Sequence, residues 1–264
     1  MKISISNWSF ILSIFISIGI PLCFLIYILL KKERYIKSYF MGVLVFVVSQ
    51  IILRLPIIQV VLPKFDWYGN MQIFYPVVYI IFLSFTAGIF EEIGRFIGFK
   101  GLKKNRTWQD GIAFGLGHGG IEAMLIVGLT NIGNMSIVNA INNGTFDSTK
   151  LGISESQVLN AFKGITNLDI VLGGIERISA MILHVFLTMI VLYAIKERKK
   201  VYLLVSIVLH GLVNFIVVSL ANNGVSNLII ELGFFMLAVV MLIMIIKLKK
   251  IFEKLDSSYI NTGV

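Results

Sequence analysis

Long apolar runs, cut by short charged clusters, set the pattern of this chain. Runs of about 20 residues recur at about 8–30, 38–62, 72–97, 107–130, 170–195, 201–222 and 225–247. At a rise of about 1.5 Å per residue, a helix of that length matches the roughly 30 Å hydrocarbon thickness of a bilayer. The pattern predicts an all-α fold, a polytopic membrane helix bundle of about seven transmembrane helices. The first run does not read as a cleaved signal peptide. Only Lys2 precedes it, and it ends in Lys31-Lys32-Glu33-Arg34 rather than a small-residue cleavage site. No soluble domain, internal repeat or low-complexity tract is visible, so residues 1–264 read as a single transmembrane domain. The one long interval, about 131–169, reads as an extracytoplasmic loop. Within it, Ser154-Glu-Ser-Gln157 has the form of a capping box and predicts a short helix near 154–163.

Composition agrees. The chain is 57% hydrophobic and 14% charged, with a mean hydropathy of +0.90. A soluble domain has roughly 25% charged residues. The single cysteine, Cys23, lies in an apolar run, which excludes a disulfide framework and a cysteine metal site. The net charge of +9 is informative through its placement. Lys31, Lys32, Arg34 and Lys37 follow the first run, and Lys100, Lys103, Lys104 and Arg106 the third. Lys196, Arg198, Lys199 and Lys200 follow the fifth, and Lys247, Lys249, Lys250 and Lys254 the seventh. Alternate basic loops place the N-terminus outside and the C-terminus in the cytoplasm. This is the pattern of a multi-pass membrane protein, with the lipid bilayer as its surroundings. It is not a nucleic-acid face, because the charges sit in separate short loops without interleaved aromatics.

Candidate chemistry lies inside the runs. Counting helical rise from the basic end of each run places His118 about 16 Å deep, His184 about 16–18 Å and His210 about 14 Å. Glu91 and Glu92 come just below, at about 9–10 Å. These are all three histidines of the chain, on three different runs, at nearly one level. Titratable groups at such depth are costly and mark functional sites. Histidines and carboxylates converging from separate helices suit zinc, which takes nitrogen and oxygen ligands and in catalytic sites keeps a position for water. Arg95 lies four residues from Glu91 and three from Glu92; an intrahelical ion pair accounts for one glutamate but not for both. Gly111, Gly115 and Gly119 form a small-residue stripe that admits a neighbouring backbone. Phe114, His118 and Glu122 form a second stripe of the same period. Arg54, Glu122, Glu176 and Arg177 form a further polar layer about 22–30 Å from the basic face, which reads as an interhelical ion-pair lock. Glu122, one turn from His118, is alternatively a metal ligand or a group that orients the histidine.

These residues resemble a known group. Glu91-Glu92-Ile-Gly-Arg95, Phe114-x-x-x-His118 and His210-x-x-x-Asn214 are similar to the motifs of the CAAX-protease and bacteriocin-immunity membrane proteins. His118-Gly-Gly-Ile-Glu122 and Gly173-Gly-Ile-Glu-Arg-x-x-Ala-x-x-x-His184 resemble the bacterial YhfC family of intramembrane metalloproteases. The resemblance spans about residues 85–215, the expected catalytic core. Only two residues separate Glu92 from Arg95, as in the related PrsW-type pattern, so the choice of base stays open. The resemblance implies a zinc-dependent endopeptidase acting on a membrane protein or peptide. Glu91 or Glu92 would activate water, His118 and His210 would bind the metal or assist directly, and Asn214 would steady the oxyanion. His184 joins as a third ligand on its depth and the YhfC-like match. The substrate would reach the site in the cytoplasmic half of the bilayer. Two other classes fit the same residues: a proton-coupled transporter and a catalytically silent immunity or partner protein. The absence of internal repeats and of proline-broken central helices weighs against a transporter.

Overall fold

The computed structural model describes residues 2–30 and 35–261. Lys31, Lys32 and Arg34 of the first basic loop lie outside them. Seven helices are long and apolar enough to cross a membrane. They are α1 (Asn7–Leu30), α2 (Ile36–Lys64), α4 (Pro76–Gly101), α5 (Trp108–Asn142), α8 (Asn167–Lys196), α9 (Val201–Asn222) and α10 (Asn227–Asn261). Short helices α3 (Asp66–Phe74), α6 (Ser148–Leu151) and α7 (Glu155–Ala161) lie between them. No strand occurs among the described residues. The predicted helix near 154–163 is α7, and Ser154 and Gln157 close its capping box reciprocally. Thr107 with Asp110 starts α5 in the same way, and Thr166 with Asp169 starts α8. Each box satisfies backbone N–H groups that a helix start otherwise leaves unpaired.

The stretch from about 131 to 169 is more helical than expected. Helix α5 continues to Asn142, so the interval between spans begins there. Its Asn and Ser residues suggest a loop, but tertiary contacts hold them: Asn131 Nδ2 donates to Ser13 Oγ at 2.8 Å. The N-terminal segment closes this end, with Ile3 N–H donating to Asn142 Oδ1 at 2.8 Å and Asn142 Nδ2 returning to Ile3 O at 3.0 Å. Phe10, Val138, Ile141 and Val158 pack beneath it.

Helix α8 is central: 72% of its apolar window is buried inside the protein, against 17–50% for the other spans. Lipid tails are as apolar as leucine, so close packing rather than hydrophobicity brings these helices together. The glycine stripe of α5 faces α8, and a Cβ on Gly115 would stand 2.5 Å from Val185 Cα. On the other side of α5, a Cβ on Gly42 of α2 would stand 2.0 Å from Phe114 O, and one on Gly117 would stand 2.1 Å from Tyr39 O. Helix α5 is thus wedged between α2 and α8 with His118 at the contact. Wide, π-helical turns interrupt α2 over Val47–Arg54 and α5 over Ala123–Gly128. Such turns often accompany functional sites, because they re-aim the side chains they carry.

Candidate metal centre

The three histidines meet. The ring centroids of His118 on α5 and His184 on α8 are 5.1 Å apart, and those of His184 and His210 on α9 are 5.6 Å apart. All three are buried, as are Glu91, Glu92 and Arg95 on α4. One ligand atom from each of Glu91, His118, Glu122 and His184 falls within 4.8 Å of all the others, a grouping able to hold a metal ion. His210 and Glu92 stand beside this group rather than in it.

Two adjacent glutamates on α4 point different ways, since successive residues turn by about 100° around a helix. Glu91 faces the histidines: its Oε2 lies 2.9 Å from His118 Nε2, 3.7 Å from His184 Nδ1 and 3.9 Å from His210 Nε2. Glu92 faces α9, where its oxygens take Ser206 Oγ at 2.6 Å and His210 Nδ1 at 2.7 Å. Arg95 reaches both, with Nη2 3.3 Å from Glu91 and Nη1 in close contact with Glu92. The ion pair expected for one glutamate therefore serves two. Arg95 Nη2 also lies 2.6 Å from His184 Nδ1, which must accept because guanidinium only donates.

The further polar layer divides. Arg177 pairs with Glu176 and, at 3.3 Å, with Glu122 Oε1. Arg54 does not join them: it donates to Gln50, Thr86 and the Leu83 carbonyl. Glu122 bridges both layers, since its other oxygen, Oε2, lies 2.6 Å from His184 Nε2. Sequence reasoning missed Gln50, whose amide Nε2 donates to Glu91 Oε1. The available signal is a polar residue one helical turn before Arg54 in an otherwise apolar run.

Two observations bear on whether these residues suit a cation. His118 Nδ1 is buried and has no hydrogen-bond partner among the described residues. Glu122 Oε2 lies 2.6 Å from His184 Nε2, an ion-pair contact. Buried polar atoms are normally paired, and an unpartnered imidazole nitrogen beside carboxylates is a ready cation ligand. The charge count agrees. Arg54, Arg95 and Arg177 face Glu91, Glu92, Glu122 and Glu176, with Glu231 beside Arg177 and Glu176, so carboxylates outnumber guanidiniums. The residues fit a divalent ion.

The group opens on a cavity of about 360 Å³ lined by Glu91, Glu122, His184, His210, Asn214 and Arg54 among others. On α5 its lining begins at Glu122 and continues to Ile126, and on α10 it is Phe234, seven residues from the helix start at Asn227. The cavity therefore runs from the histidines away from the basic loops.

A sequence model described as YhfC intramembrane metalloprotease matches residues 13–235. The chain is 34% identical over 241 residues to an uncharacterized membrane protein YhfC of Bacillus subtilis (strain 168), covering 89% of this chain and 93% of that protein. No solved structure matches it.

Proposed function

The chain belongs to the YhfC intramembrane metalloprotease family, and on that premise we propose that it is a zinc-dependent endopeptidase cleaving a membrane-associated protein or peptide. The observation that carries this reading is the set of four ligand atoms within 4.8 Å at the head of a cavity, one of whose residues, His118, holds an unpartnered buried nitrogen. Two imidazoles with carboxylates suit zinc over harder cations. His118, His184 and Glu122 would hold the ion. When bound, it would polarise a carbonyl and lower the pKa of water to about 7. Glu91 is the base in this reading. It lines the cavity, whereas Glu92 is spent on Arg95, Ser206 and His210. Gln50 holds Glu91 Oε1, and Oε2, which meets His118 at 2.9 Å and Arg95 at 3.3 Å, is the oxygen on the histidine side that would take a proton. Asn214, one turn from His210 on the same cavity wall, donates to the carbonyl oxygen of the scissile bond.

The test combines metal analysis with turnover. Detergent-purified protein is expected to carry about one zinc per chain and to cleave an apolar reporter peptide reconstituted in liposomes. Glu91→Gln should keep zinc and lose turnover, and His118→Ala should lose both. Folded wild-type protein that binds no divalent metal, or full turnover in both variants, refutes the proposal.

A further inference from the structure

Three guanidiniums lie within the spans around the cavity, and two of them have carboxylate partners. Arg95 pairs with Glu91 and Glu92, and Arg177 with Glu122 and Glu176. Arg54 differs. It is only 9% exposed. Its Nε donates to Thr86 Oγ1 at 3.3 Å, its Nη1 to Gln50 Oε1 at 3.0 Å and its Nη2 to Leu83 O at 2.6 Å. All three acceptors are neutral, and among the described residues no carboxylate comes within ion-pairing distance of it. A guanidinium carries five N–H donors. Nη1 and Nη2 each keep one N–H beyond these bonds, and guanidinium N–H groups meet carboxylates with charge-assisted hydrogen bonds. Arg54 also lines the cavity that holds Glu91, Glu122 and His184. A cation at membrane depth without a counter-ion is costly, and such residues mark ligand paths.

We propose that Arg54 is a carboxylate-binding subsite of this cavity, taking an anionic group of the bound peptide. This rests on the peptide-hydrolysis reading above. Position supports it. Arg54 is separated from Glu91 by the single amide of Gln50. A carboxylate held there lies roughly one or two residues from the bond under attack, at about 3.5 Å per extended residue. Both a peptide C-terminus and an acidic side chain supply this chemistry.

Binding, measured apart from turnover, tests the subsite. The probes are N-acetyl-Ala-Leu as the free acid, the same peptide as its C-terminal amide, and N-acetyl-Asp-Leu amide, titrated calorimetrically into detergent-purified protein. Wild type is expected to bind at least one carboxylate-bearing peptide about 10- to 100-fold more tightly than the neutral amide. Preference for the free acid identifies a C-terminal carboxylate as the ligand, and preference for the Asp peptide identifies a side chain. In Arg54→Gln the preference should vanish, and in Arg54→Lys it should shrink. Were Arg54 only a prop for Gln50, acid and amide would bind wild type equally. Equal binding, no measurable binding of any probe, or a preference that persists in folded Arg54→Gln overturns the subsite. Should the variants fail to fold, the comparison is repeated on metal-free wild type, where a bound ion cannot supply the preference, and equal binding there overturns the subsite. A carboxylate preference in protein that cleaves nothing would sink the hydrolytic reading while leaving the subsite standing.

Discussion

Glu91 and Glu92 are neighbours in sequence, and their glutamine variants are expected to fail in opposite ways. Glu92 is fully buried, and its carboxylate meets Arg95, His210 and Ser206. Glutamine preserves the volume but removes the charge and places an amide N–H₂ where donors already converge. Each charge-assisted hydrogen bond contributes about 1.5–3 kcal/mol. Of its two carboxylate partners Arg95 would retain only Glu91, at the longer distance of 3.3 Å. Breaking one side of a buried ion pair costs about 3–5 kcal/mol, and Glu92→Gln should lose about that much. In Glu91→Gln, Arg95 keeps Glu92 and Gln50 still finds a carbonyl oxygen, so the loss should be about 1–2 kcal/mol. Turnover, however, should fall about 10²- to 10⁴-fold with the general base removed. Unfolding in mixed dodecyl maltoside–SDS micelles, followed by circular dichroism, reads the first effect, and peptide cleavage reads the second. A Glu92→Gln protein as stable as wild type, beside a Glu91→Gln protein that is active and strongly destabilised, would reverse the assignment.

Further outcomes follow from the same geometry. His184→Ala should abolish stoichiometric zinc by mass spectrometry, whereas His210→Ala, outside the four-atom group, should retain most of it; equal loss in both would redraw the ligand set. Arg177→Met frees Glu122 from the contact at its Oε1, and should weaken zinc about 10- to 100-fold in a chelator competition. Gly42→Ala puts a methyl 2.0 Å from Phe114 O, so α2 and α5 must separate. That overpacking should cost about 1–3 kcal/mol or more in the micelle assay, and unchanged stability would contradict the close approach.

Hydropathy alone was enough to read the number and order of the seven spans, though α5 and α10 run past the limits it set, because a bilayer core sets a length that any crossing helix must reach but need not stop at. Capping chemistry was equally local: Ser154 and Gln157 announce α7 without help from the rest of the fold. Depth was legible as well, since rise per residue is constant along a helix, and the three histidines do meet at one level. What a depth count lacks is direction around each axis and the identity of the neighbouring helix. Packing decides both. The backbone contacts at Gly42, Gly115 and Gly117 fix how α5 sits between α2 and α8. That rotation brings Glu122 against His184 and Arg177, while Arg54 goes to Gln50. On α4, one residue's turn separates Glu91, among the metal-capable atoms, from Glu92, bound to α9. No pattern along a single strand of sequence carries that distinction, because it depends on which helix packs opposite.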